Sequence, residues 1–388
     1  LKERNLMDSH THPAHTSTRY RHDHRHPLIS IIVVVHNAEE HISSFLTQLA
    51  ALTYTNYECI IIADHCTDNT LALIKNHPMY TQQTNTIRIL NSTTPGVSHA
   101  REQATLKSSG DWIWFVDVDD TFEENILTEF AHLHNLYPSA TLLHLGAEHT
   151  FPNKAPQPVE TPWPSRTVPF YSLRKTADTT THFVPSTKTS NLLSHILNGH
   201  IRGYLWNKLI PGPQLRALAT EGFYHSTTQN DFNLLISFLQ AHPTATVAYN
   251  PTIYYHYIHH PKQLSTTAGT HTVDNTLQCI QRVLALPNIP TQPAHLINNF
   301  LLWAGIIPCT NTLLDHAAKE HSQEKAHQHY QRARQLKTQL NYSPTRQSLL
   351  HFLKNHPLRI SIHALIHRIL FTQPQPGIGL KLYTRLKG

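Results

Sequence analysis

The sequence predicts an α/β protein, a mostly parallel sheet flanked by helices with a helical C-terminal extension. Three observations lead there. Four apolar runs, at 28–35, 57–63, 86–90 and 112–116, are rich in β-branched or aromatic residues and lack helical spacing, as strands buried on both faces of a parallel sheet do. Each of the first three leads through a polar turn into apolar residues at helical spacing, for example Ile42, Phe45, Leu46 and Leu49. From Val273 onward the pattern is helical, through Leu277, Ile280 and Leu284 and then 296–307 and 320–340.

At 388 residues the chain exceeds one ordinary core. Residues 1–26 are polar and His-rich and are expected to be a disordered tail. Residues 27–150 hold the four strand–turn units, one half of an α/β domain. Residues 151–190 are Pro- and Thr-rich without periodicity and are expected to be a long irregular loop. A second half, 191–268, includes a helical pattern at Leu234, Leu235, Phe238 and Leu239, and late strands at 246–249 and 253–257. Residues 269–388 are the helical region. Beyond Pro357, Ile362, Leu365, Ile366, Ile369 and Leu370 share one helical face, with Arg359, Arg368, Lys381, Arg385 and Lys387 adding charge. Such a basic amphipathic tail suits peripheral contact with an anionic membrane through 357–388, or packing onto the body.

A formal charge of +6 is spread over a chain with only 14% charged residues and no Lys/Arg block, which argues against nucleic acid as a partner. The 33 histidines are dispersed and read as a compositional habit rather than as ligands. Four cysteines without zinc spacing suggest a reducing compartment, hence a cytoplasmic protein. No apolar run reaches membrane-spanning length.

Chemistry concentrates at Asp117, Asp119 and Asp120, where the fourth strand should leave its sheet. Carboxylates this dense repel one another unless a cation lies among them. A divalent metal completed by substrate phosphates is one reading, because open α/β sheets bind nucleotides at that edge. A solvated turn capping the next helix is the other.

Four segments in order, Val35-His36-Asn37, Ala63-Asp64-His65-Cys66-Thr67-Asp68, Gly96 through Ala100-Arg101-Glu102, and Asp117-Val118-Asp119-Asp120, carry a resemblance. Together they resemble the nucleotide-binding half of family 2 glycosyltransferases of the GT-A fold, with its V-Y-N, D-D-G-S-T-D, G-x-x-x-A-R-N and D-x-D-D hallmarks. Ala63, His65-Cys66 and Glu102 depart from the pattern without removing a carboxylate that has an assigned task. Gly203 to Ile210, with Trp206-Asn207-Lys208, resembles the family's W-N-K-L segment, and Asn230-Asp231 stands where the family has E-D and its catalytic base.

The resemblance implies an inverting transfer from a nucleotide-diphosphate sugar, a UDP-sugar being favoured, to a hydroxyl of a glycan or lipid-linked acceptor. It further implies a setting in cell-surface polysaccharide synthesis, at the inner face of the cytoplasmic membrane. Val35, Asn37, Asp64, Arg101, Asp117 and Asp119 would hold the nucleotide, and Asp119 and Asp120 the Mg²⁺ or Mn²⁺. Trp206 and Asn230 would face the acceptor and Asp231 would be the base. Each has a plainer alternative: Asp64 and Asp68 as turn acceptors, Arg101 as an exposed helix charge, Trp206 as a core aromatic, Asp231 as a helix cap. Two other classes remain, a catalytically silent sugar-nucleotide-binding or scaffold protein and a nucleotidyltransferase. The acidic turn at 36–39, with no Gly-rich phosphate loop, disfavours the last.

Overall fold

The first four strands, β1 (Ile29–Val35), β2 (Tyr57–Ala63), β3 (Ile87–Asn91) and β4 (Trp112–Val116), coincide with the four apolar runs. This computed structural model describes residues 26–82, 86–152, 154–159, 171–174, 182–185, 191–226, 228–260, 271–320 and 322–343. The four strands lie parallel in the order β3-β2-β1-β4. Alternation places Ile31, Val33 and Trp114 in one buried layer and Ile32, Ile60 and Phe115 in the other, so both faces need a cover. Helix α1 (Ile42–Ala50) packs on the first face through Phe45, Leu46 and Leu49, followed by α2 (Thr70–Asn76) and α3 (Pro78–Gln82). Helix α4 (Val97–Lys107) lies against β1 and β2 on the other face through the small residues Ala100 and Ala104.

Beyond β4 come β5 (Thr121–Phe122), α5 (Ile126–Leu136), β6 (Leu142–Phe151), β7 (Lys154–Pro158), β8 (Tyr171–Arg174) and β9 (His182–Pro185). After α6 (Leu192–Asn198) the chain adds β10 (Lys208–Pro211), α7 (Gly212–Glu221), α8 (Asn230–Ala241) and β11 (Val247–Ile258). The sheet order is β3-β2-β1-β4-β10-β6-β11-β5, with β7 paired to β6. Strand β10 runs antiparallel to both β4 and β6, whereas β11 is parallel to β6. The reversed β10 therefore joins the two halves of the sheet.

Two expectations are corrected. The segment 151–190 is not uniformly irregular: β7 pairs with β6, and β8 pairs with β9 in a separate two-stranded sheet. Proline cannot donate to a ladder, so β7 with Pro156 and Pro158 fits only an edge. The late strands are one strand, β11, with register shifts between Asn250 and Tyr255, around Pro251. Gly146 permits this irregularity, since a Cβ there would lie 2.2 Å from the Pro251 carbonyl oxygen.

The C-terminal region contains α9 (His271–Leu284), α10 (Ala294–Phe300), a π-helical turn at Leu301–Ile306, α11 (Ile307–Lys319) and α12 (Gln323–Gln339). The π turn precedes Pro308, whose missing N–H interrupts the regular ladder. Phe300 and Ile306 join the main core, while Val273, Leu313 and Leu336 form a smaller cluster. Almost all of the 1–26 tail and the whole basic segment 357–388 lie outside the described residues. Among the described residues, no helix is long and apolar enough to cross a membrane.

Candidate active site

The ends of β1, β2 and β4 and the N-terminus of α4 meet at one edge of the sheet. The Val35 carbonyl accepts from Asp64 N (2.8 Å), and Asn37 Oδ1 accepts from Thr67 N (2.7 Å). Asn37 and His65 sit in the left-handed region, at φ 49° and 55°, which lets two short turns pass each other. Asp64 is 8% exposed and binds both flanks, taking Gly96 N on Oδ2 (2.9 Å) with His65 Nδ1 3.0 Å from Oδ1. Gly96, at φ 118°, adopts backbone that favours glycine. Asp68 serves its turn, accepting from Glu39 N and from the amide and hydroxyl of Thr70.

The three carboxylates after β4 are separated by their partners. Asp120 is 2% exposed; its Oδ2 accepts from the Tyr255 hydroxyl (2.7 Å) and its Oδ1 from Ile258 N (2.8 Å). Burial, with Asp117 and Asp119 alongside, raises its carboxyl well above the usual range. Asp120 thus pins the acidic turn to β11. Burial also pushes Asp117 up to about 7, with Arg101 opposing the shift and Asp231 and Asp119 adding to it. Asp119 keeps about a quarter of its side chain exposed, with Oδ2 2.6 Å from His260 Nε2.

Among the described residues, no group of three or more His, Cys, Asp or Glu side chains could hold a metal ion. Asp119 and His260 offer one carboxylate oxygen and one imidazole nitrogen. The carboxylate oxygen suits Mn²⁺ or Mg²⁺ with diphosphate oxygens and water completing the shell, whereas the imidazole nitrogen suits the transition metal Mn²⁺ rather than Mg²⁺. Sequence reasoning passed over His260, which follows the strand with no ligand spacing in a chain full of histidines.

Arg101 is a buried residue of α4 rather than an exposed helix charge, 7% exposed. Its Nη1 pairs with Asp231 Oδ1, its Nη2 lies 3.5 Å from Asp117 Oδ1, and its guanidinium carbon is 5.4 Å from the centre of the Phe115 ring. Asp231 lies in the first turn of α8 but does not cap it; the cap position is Gln229, without a side-chain bond. Its Oδ2 accepts from Leu205 N (3.2 Å). Asn230 Oδ1 accepts from the hydroxyls of Ser98 (2.7 Å) and Ser226 (3.0 Å), linking α8 to α4.

Trp206 departs from the expected acceptor role. It is 2% exposed, stacked on Tyr255 (4.7 Å between ring centres) and Tyr204 (4.9 Å), and its carbonyl accepts from Trp114 Nε1. It is a core aromatic that supports the strand carrying Tyr255. Tyr204, half-buried and next to Leu205, is the aromatic closer in sequence to the backbone amide that holds Asp231.

A mostly parallel sheet with a carboxylate-rich strand edge, flanked by a buried arginine and a helix-borne aspartate, makes this an α/β protein with its polar groups gathered where open sheets of this class bind nucleotides. Residues 30–186 match the family model glycosyl transferase family 2. That match covers less than half of the chain, and the fold is that of the GT-A glycosyltransferases. The putative glycosyltransferase EpsH of Bacillus subtilis (strain 168) is 21% identical over 232 residues, 60% of this chain and 60% of that protein. The uncharacterized glycosyltransferase YibD of Escherichia coli (strain K12) is 31% identical over 104 residues, 26% of this chain and 29% of the other. The chain thus spans less than two thirds of these relatives. The crystal structure of S. aureus TarS 1–349 in complex with UDP-GlcNAc shares the fold with a TM-score of 0.56, at 15% identity, over 86% of this chain and 90% of the other.

Proposed function

We propose that the chain is a metal-dependent, inverting glycosyltransferase that moves a sugar from a nucleotide-diphosphate sugar to a hydroxyl of a glycan or lipid-linked acceptor in cell-surface polysaccharide synthesis. The observation that carries this reading is the meeting of Asp64, Asp117, Asp119 and Asp231 at one strand edge, with Arg101 between the last carboxylate and the β4 turn. A UDP-sugar is the favoured donor; the TarS structure described with UDP-GlcNAc supports that choice.

Asp64, Asn37 and the Val35 backbone line the nucleotide side. Asp119 with His260 would hold the divalent ion, which when bound neutralises charge on the departing diphosphate. Asp120 positions Asp119 by anchoring the turn. Asp231 accepts the proton of the attacking acceptor hydroxyl from the face opposite the departing diphosphate, which inverts the anomeric centre. Asn230 is a support for α8, and Tyr204 takes the acceptor-side place first expected of Trp206.

The test is calorimetric binding of UDP, GDP, UDP-glucose, UDP-galactose, UDP-GlcNAc and GDP-mannose, with Mn²⁺ and with chelator. One nucleotide should bind only with metal, and Asp119→Ala should weaken it at least about tenfold, the scale of losing a ligand or its support. A folded wild-type protein that binds none of them under either condition overturns the proposal.

A further inference from the structure

We propose that Arg101 is a positioning residue for the transfer: it fixes the Asp231 carboxylate and couples it to Asp117 on the donor side, and it does not itself hold the nucleotide. The inference rests on Asp231 being the base. It departs from the family resemblance, which places this arginine at the nucleotide.

A guanidinium presents donors in a rigid plane and can serve two carboxylates at once. Here one terminal nitrogen pairs with Asp231 Oδ1, the other faces Asp117 Oδ1 at 3.5 Å, and the group lies near the Phe115 ring. Only 8% of the side chain is exposed, so little of it is left for a ligand to touch. The Leu205 amide holds the other oxygen of Asp231. The carboxylate is thus fixed at both oxygens, yet a carboxylate accepts at about four sites and can still take an acceptor hydroxyl. Without Arg101, Asp117 and Asp231 would confront each other with no cation between them, and would repel or share a proton. Lysine brings the charge but not the fork, so it can satisfy one carboxylate at a time.

The experiment compares wild type, Arg101→Lys, Arg101→Gln, Asp231→Asn and the double variant Arg101→Lys/Asp231→Asn. Each is checked for folding by thermal unfolding. Two quantities are read: the Kd of UDP with Mn²⁺, and kcat for hydrolysis of whichever sugar nucleotide of the panel wild type binds. Arg101→Lys, which retains the buried charge, should keep the Kd within about threefold and lower kcat about 10- to 100-fold, part of what a general base contributes. The double variant should be no slower than Asp231→Asn, as for residues acting as a unit. A Kd raised about tenfold with kcat unchanged, or losses that multiply in the double variant, overturns this inference alone. Hydrolysis by Asp231→Asn at the wild-type rate instead overturns the assignment of the base, and the inference with it.

Discussion

The Tyr255 hydroxyl donates to Asp120 Oδ2 at 2.7 Å and lies 3.4 Å from the Asp117 amide, close enough to accept from it. Removing it leaves a buried carboxylate one donor short. Tyr255→Phe should lose about 1–3 kcal/mol in urea unfolding, and should weaken Mn²⁺-dependent UDP binding about tenfold, as loss of a ligand's support does. Full stability in the variant would mean that Ile258 N alone holds the turn. The acidic turn itself was legible in the sequence, because three carboxylates directly follow a buried apolar run. The division of labour among Asp117, Asp119 and Asp120 was not. It depends on which atoms of β11 arrive opposite them, from more than a hundred residues away. Arg101 was legible as a motif residue but not as a buried one, since its partner Asp231 lies in the other half of the domain.

At the scale of elements, the irregular pairing of β6 with β11 decides what reaches the site. Ile253 pairs with Gly146 and Tyr255 with Ala147, so the shift next to Pro251 sets the register of Tyr255 and Ile258. Gly146→Ala forces its Cβ against the Pro251 carbonyl. The variant should lose about 1–3 kcal/mol, as overpacked positions do, and should bind UDP and Mn²⁺ less well. Equal denaturant midpoints for variant and wild type would show that the bulge can yield. Strands β1, β2 and β4 could be read from their composition because they are buried on both faces. Strands β7, β8 and β9 could not, because they are only four or five residues long within a Pro- and Thr-rich segment and their pairing is specified only by the partner strand. Pro251 likewise divides the pattern of β11 into two apparent strands.

For the whole molecule, acid is the lever that the structure makes specific. Burial, with His200 and His144 nearby, pushes His195 down to about 3, whereas an exposed histidine takes its proton near 6.5. Between those values the unfolded chain binds more protons than the folded one, so stability rises with pH and falls as pH drops below about 6.5. At pH 5 this site alone should cost about 2 kcal/mol. Denaturant unfolding at pH 5 and 7.5 should therefore show a smaller pH difference in His195→Gln than in wild type, and equal differences would assign the proton uptake to other histidines.

The reversed strand β10 also has a history in time. β4 and β6 are made early, yet the strand that lies between them is translated only after the whole of 152–207. Until β10 emerges from the ribosome, the nascent chain carries two apolar strand edges with nothing to pair with, the kind of surface that templates misassembly. Closing that gap is a long-range step and a slow one. The central seam that brings Asp231 to Arg101 is therefore also the interval in which the growing chain is most exposed to capture by another copy of itself.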